Sequence, residues 1–304
     1  STANLVALSG DQFESLGTAA IAALTTGQAA VLTTDQIESL TEQQVAALET
    51  ADVAALTTDA IVALDEKLID SLSTAQLAAL TTDQAAALTT KQIRELTTEQ
   101  ISSLSTDDLN ALTTSQFAAL DNKQVAALTT GQVSALTTDD LTALTGKQFP
   151  SIATDAIAAL TTGQAAVLST EQVAKMSAGQ IEALESADFA ALSSDAIAAV
   201  TDKQFKLLST EQIAALTSDG IGALTSKQIK VMTTEQIAGL TTEDLNAFST
   251  EQFGVLSDKQ IEVLTTAQVT ALSTDNLTSM GQKQVQALGS DQIQALTTDQ
   301  IVAL

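Results

Sequence analysis

The sequence predicts an all-α fold: a solenoid superhelix of short capped helices, one per eight-residue repeat. Three observations predict it. From Ser1 the 304 residues divide without a gap into 38 octads, of which Thr33-Thr34-Asp35-Gln36-Ile37-Glu38-Ser39-Leu40 is a typical copy. Octad positions 5 and 8 are apolar in every copy, from Leu5 and Leu8 to Ile301 and Leu304. A spacing of three suits one face of a helical turn and not the alternation of a strand. Position 1 is Ser or Thr in 30 of the 38 octads and position 4 is Gln in 25, which is the spacing of a capping box. Repetition at a fixed period sets the architecture before any local feature does.

Each part of the octad has its own reason. Ser or Thr at position 1 is a preferred N-cap, because its oxygen accepts from a free N–H of the first turn. Position 2, usually Thr, is the first helical residue. Position 3 carries Asp or Glu in 18 octads, beside the positive end of the helix dipole. Ile-Ala-Ala-Leu at positions 5 to 8 continues the helix until the next Thr stops it. One unbroken helix would turn its apolar stripe by roughly 80° per octad, which no simple supercoil accommodates. A β-solenoid would need strand alternation, whereas Ala-Ala at positions 6 and 7 prefers helix. Pro150, at position 6, implies a distorted octad, since a helix there uses the backbone N–H. The interior is expected to hold positions 5 and 8, with Ala from position 6 or 7 allowing close approach, and positions 2 and 3 should face solvent.

A longer period overlies the octads. Eight of the 12 basic residues occupy position 3: Lys67, Lys91, Lys123, Lys147, Lys203, Lys227, Lys259 and Lys283. The second four lie 136 residues beyond the first four. At position 4 the pairs Asn4 and Asp140, Asp52 and Asp188, Asp108 and Asp244, and Asp140 and Asn276 are each 136 apart. The octad Thr25–Leu32 recurs unchanged as Thr161–Leu168. Seventeen octads therefore form a super-repeat, in which the lysines return about five times, giving about 3.4 octads or 27 residues per superhelical turn. The expectation is one continuous solenoid over 1–304, of about eleven turns and on the order of 100 Å long. The lysines and the Asp/Asn positions fall on different faces.

Composition excludes several function classes. His and Cys are absent, which removes the commonest general base, the thiol nucleophile, disulfides and the usual zinc ligands. Ser and Thr have no base beside them, and capping accounts for their place, so no catalytic, cofactor-binding or metal-ligating residue is assigned and no enzyme is expected. A net charge of −25 opposes nucleic acid and anionic membrane surfaces. The longest apolar runs, such as Ala19 to Leu24, are far short of a membrane span, and no signal peptide is visible. Asp107-Asp108 and Asp139-Asp140 are the densest acidic pairs. They are read as solvated first-turn acids, with Ca²⁺ as the alternative, because no Asp-x-Asp-x-Asp-Gly loop appears. The lysines are read as neutralising acids of adjacent coils, with docking of an acidic neighbour as the alternative. Regular Thr ladders in some solenoids bind ice or sugar; here the Thr-Thr pair is explained by the cap and first helical residue. Gly27, Gly131, Gly163 and Gly179 form no phosphate-binding fingerprint, and Asn276-Leu277-Thr278 matches a glycosylation sequon.

The octads resemble the Leu-Thr-Thr-x-Gln-Ile-Ala-Ala-Leu repeat tracts of very large secreted bacterial surface proteins, of the adhesin and calcium-associated type exported by one-step secretion. The resemblance covers the whole chain and implies an extracellular or cell-surface setting. The first and last octads are ordinary members of the array, whereas repeat arrays usually close with polar capping units. The expectation is a structural rod or filament subunit, a surface fibre or stalk, that associates end to end or continues into neighbouring domains of a larger protein. The alternative is a binding module of a secreted adhesin, presenting one solenoid face to Ca²⁺, a glycan or a protein.

Overall fold

A computed structural model describes all residues, 1–304. It holds one short helix per octad and no strand: 36 α-helices and two 3₁₀ helices. The α-helices run for four to six residues, as in Thr34–Glu38 and Thr130–Ala135. Helices this short have no stability of their own, since nucleation costs more than one turn returns. Two things make them. Caps satisfy the first turn, and packing against the next coil buries the apolar pair.

The capping box forms as the sequence predicts. In octad 89–96, Thr89 Oγ1 accepts from the Gln92 N–H at 3.2 Å, and the Thr89 N–H donates to Gln92 Oε1 at 2.8 Å. The same reciprocal pair recurs at Thr97/Gln100, Thr129/Gln132 and Ser209/Gln212. At the other end, the position 8 residue leaves the helix for extended backbone, as at Leu56 and Leu112, and the next cap begins. No residue has positive φ, so the bends between helices come from ordinary extended and helical conformations.

Pro150 distorts its octad as expected, leaving only the 3₁₀ turn Phe149–Ser151. A second 3₁₀ helix, Glu66–Ser71, was not foreseen. Its octad has Asp65 at position 1 and Leu68 at position 4 in place of the capping pair. Asp65 Oδ1 accepts from the Lys67 N–H only two residues on, at 2.9 Å, which tightens the first turn.

The chain divides into two compact units, Ser1–Ala159 and Leu160–Leu304. Within each unit a helix packs chiefly on the helix three octads away: Thr82–Ala87 on Thr106–Ala111 in the first, Thr170–Lys175 on Ser194–Ala199 in the second. Hydrogen bonds from position 4 reach four octads away, as from Gln92 to Ile61 and from Gln212 to Ile181. Contacts at three and four octads bracket the turn of about 3.4 derived from the lysine spacing.

The core consists of position 5, commonly with no exposed surface (Val45, Ile93, Phe117, Phe253), and position 8, commonly 3–5% exposed (Leu96, Leu104, Leu256). Positions 2 and 3 face solvent, as Thr34 and Asp35 do. Of the two positions expected to supply the small residue at the coil contact, position 6 is mostly exposed and position 7 is half-buried, as at Ala47. One expectation needs correcting. The interior also includes position 4, whose glutamines are almost wholly buried: Gln36 0%, Gln92 1%, Gln228 1%.

Candidate functional site

The buried glutamines form the most specific polar feature of the chain. Gln92 uses all of its amide: Oε1 closes its own cap, while Nε2 donates to the Ile61 and Leu64 carbonyls, both at 2.8 Å. Those acceptors are positions 5 and 8 of the octad four earlier. The carbonyls of a short helix's last turn have no partner within it, so from Gln36 onward such a glutamine caps its own helix start and the end of a helix in the previous coil. The pair recurs from Gln36 (Leu5, 2.7 Å; Leu8, 2.9 Å) to Gln300 (Val269, 3.0 Å; Leu272, 2.9 Å). Capping alone explains only half of this. Glu completes a capping box as well as Gln, yet in a chain with 37 acidic residues no octad has Glu at position 4. That exclusion is the sequence signal for a required N–H donor.

Seven octads carry Asp or Asn in this slot. Asn276, one methylene shorter than Gln, still reaches the same acceptor: its Nδ2 donates to the Leu245 carbonyl at 3.2 Å. The aspartates are equally buried, with Asp52 at 2%, Asp140 and Asp188 at 4%, Asp108 at 6% and Asp244 at 7%. The reading of Asp107-Asp108 and Asp139-Asp140 as solvated acids is therefore corrected for the second member of each pair. Asp107 and Asp139 are exposed, whereas Asp108 and Asp140 turn inward. The pairs diverge because position 3 faces solvent and position 4 faces the coil below. Nowhere do three acidic side chains converge as ligands for a metal ion.

An ionised carboxylate in a slot built for a donor is held less comfortably than an amide. Burial pushes the Asp52 carboxyl above the usual carboxylate range, reinforced by Glu49, and its Oδ2 has no hydrogen-bond partner. Burial raises Asp140 as well, with Asp139 adding to the rise, against relief from the Thr137 hydroxyl, which donates to Oδ2 at 2.6 Å. Asp188 is raised by burial and by Glu185, with Thr162 donating in partial compensation. Two exposed first-turn acids go the other way: hydrogen bonds from backbone N–H groups and nearby Ser and Thr hydroxyls lower Glu211 and Glu235.

Two asparagines at position 6 clip neighbouring coils from outside. Asn110 Nδ2 donates to the Ala135 carbonyl at 2.8 Å, and Asn246 Nδ2 donates to that of Ala271 at 2.7 Å. Asn246 Oδ1 also accepts from the Ser273 N–H at 2.9 Å.

The basic residues are all exposed. As partners that neutralise acids of adjacent coils they form one ion pair, Lys91 Nζ to Glu66 Oε1 at 4.0 Å. The exposed groove lined by Glu262, Thr266, Ser290 and Asp291 is open and polar, whereas the one lined by Ala198, Ala199, Val200 and Lys227 is mostly apolar. The interior void bounded by Ile37, Val53, Ala60 and Leu72 holds about 10 Å³, too little for an ordered water.

A regular apolar core, caps shared between coils and a uniform exposed face define the class: a helical-repeat solenoid protein. The model of the ALTTAQ repeat matches residues 11–42, 45–82, 69–98, 90–122, 101–138, 181–218, 215–242, 240–274 and 274–304. The chain belongs to the ALTTAQ repeat family. No curated protein matches it.

Proposed function

We propose that this chain is a structural, non-catalytic element: an extracellular or cell-surface rod, the subunit or shaft of a fibre or stalk, that stacks end to end. The observation carrying this reading is the sameness of the junction between coils. Every step uses one apolar pair and most add one bridging amide, and neither interrupts itself to build a cleft. Such a junction extends without limit, because its two sides are complementary but not identical. In the 304-residue chain, Gln12 closes its cap but spends no Nε2 on an earlier coil. At the other end Ile293 and Ile301 are 44% and 59% exposed. The resemblance to secreted bacterial repeat proteins supports the surface setting, and no helix is long and apolar enough to cross a membrane. The reading requires neither an enzyme activity nor a resident cofactor.

The test is electron microscopy of the purified chain over a range of concentrations, with and without Ca²⁺, beside the variant Ile301→Asp. Fibres of constant width that lengthen with concentration and shorten in the variant support stacking. Particles of one length at all concentrations, in both proteins, overturn it. Ca²⁺-dependent fibres would make the acidic positions ligands and overturn the cofactor-free reading.

A further inference from the structure

We propose that the basic residues form a docking column for the acidic face of a second copy of this chain, giving side-by-side association. The inference goes beyond end-to-end stacking and concerns a different surface. It starts from the placement of charge. All 12 basic residues fall in nine of the 38 octads, and the other 29 octads carry 28 acids and no base. The structure turns those octads into columns. In the first unit the helix carrying Lys91 packs on the one carrying Lys67, and the helix carrying Lys123 packs on the 3₁₀ turn of the Pro150 octad, where Lys147 lies. The middle step is closed by Gln124, which donates to the Ile93 carbonyl at 2.7 Å. Lys67, Lys91, Lys123 and Lys147 thus lie on successive coils. The second unit repeats the arrangement with Lys203, Lys227, Lys259 and Lys283, joined by helix packing and by Gln260 to Ile229 at 2.8 Å. Lys206 and Lys230 lie in the same helical turns as Lys203 and Lys227.

A purely internal role would pair these cations with acids. Only Lys91 has such a partner, at the outer limit of an ion pair. In a chain of net charge −25, scattered lysines would lower self-repulsion equally well. Alignment on successive coils within each unit is what an external partner requires.

The chain itself supplies the complementary surface. Asp59, Asp83, Asp107 and Asp139 are exposed at position 3 of octads that contain no base. They advance by three or four octads, as the lysines do, so they also rise one coil at a time. Asp195, Asp219, Glu243 and Asp275 repeat that column 136 residues later. Basic and acidic columns therefore share one rise per charge, and side-by-side copies match charge for charge along the contact. Each exposed pair is weak; a column of matched spacing acts multivalently. Other polyanions, such as nucleic acid or an acidic polysaccharide, have no reason to match that rise.

The experiment is analytical ultracentrifugation with negative-stain microscopy, at about 10 mM and about 1 M salt, where the screening lengths are about 30 Å and 3 Å. It compares the chain with a variant carrying Lys91→Gln, Lys123→Gln, Lys227→Gln and Lys259→Gln. Helical circular dichroism should be unchanged, because all four side chains are exposed. The expected result is particles of doubled width at low salt, single-width particles at high salt, and at least a tenfold weaker association for the variant. Single-width particles at both salts overturn the proposal, as does a variant that pairs like the parent. Heparin or anionic vesicles binding the parent and preventing the pairing would also overturn it, by making another polyanion the partner. End-to-end stacking lengthens particles at constant width and survives high salt, so the two readings fail separately.

Discussion

Asp52 is the position where the slot and its occupant disagree most, and Asp52→Asn should stabilise the first unit. The residue is 2% exposed, its Oδ2 has no partner, and Glu49 lies nearby. Counting 31 residues back, its slot is that of the Ile21 carbonyl, which accepts from the Leu24 N–H at 3.1 Å and from the Ala23 N–H but from no side chain. Asn276 shows that an amide of this length can donate across the same interval. The substitution gains one hydrogen bond, about 0.5–1.5 kcal/mol, and removes the penalty of a buried unpaired acceptor, about 1–3 kcal/mol. A net gain of about 1.5–4.5 kcal/mol is expected, or about 3–18 °C in the melting of a unit of this size. The pH dependence fixes the cause. Asp52 has a raised pKa in the folded state, so its penalty is full above that pKa and shrinks as pH falls through it toward the unfolded value. A protonated carboxyl can itself donate, so parent and variant should converge in acid. The assay is thermal melting by circular dichroism from neutral pH to about pH 3, with hydrogen exchange on octads 17–24 and 49–56. A variant that melts at or below the parent at neutral pH, or a gap that widens in acid, would refute the slot argument.

Other substitutions test the rest of the junction. Gln92→Leu keeps the size but orphans the Thr89 N–H and the Leu64 carbonyl, and should cost about 2–4 kcal/mol in denaturant melts. Gln92→Glu keeps the cap acceptor and removes the donor, so at neutral pH it should cost at least as much and recover on acidification. Replacing Ile37 and Leu40 with Asp should unravel the array locally, whereas changing Thr34 and Asp35 should move the melting point little; equal effects from the two pairs would contradict the buried positions. Thr97→Ala removes an N-cap oxygen that accepts from Gln100 N–H at 3.2 Å and should cost about 1 kcal/mol.

The octad, its cap and its apolar pair were legible because each is a local pattern: Thr89, Gln92, Ile93 and Leu96 announce themselves within eight residues. The turn was legible for a different reason. The scarcity of lysine makes Lys67, Lys91, Lys123 and Lys147 markers of phase, and their spacing counts octads per coil. The second half of the glutamine's work stayed hidden, because its acceptors lie 28 and 31 residues back and backbone carbonyls leave no trace in a sequence. Asp108 and Asp140 were misread on the same account. An acid in the first turn of a helix suits the dipole at any angle around it, and only the coil below decides that position 3 is wet and position 4 is not. The 3₁₀ turn at Glu66–Ser71 had its signal in Leu68, an apolar residue in the donor's slot.

The mismatch between an octad and a coil is what joins these features into one material. With about 3.4 octads per turn, an octad never lies squarely on a single predecessor. It packs its helix on the one three octads back and sends its amide to the one four back, so each helix is held by two different neighbours in the coil beneath it. Losing one amide, as the octads of Ala60, Ala156 and Ala196 already do, leaves the packing contact in place. Two substitutions therefore couple through the fold only at separations near 24 or 32 residues. Gln92→Leu combined with Gln124→Leu should exceed the sum of the single losses, because Gln124 donates to the Ile93 carbonyl of the helix that Gln92 caps. Gln92→Leu with Gln44→Leu, six octads apart, should be additive in the same melts. Additivity in both pairs would mean that the coils bear load independently, and a structural shaft built from this repeat would then be no stronger than its weakest octad.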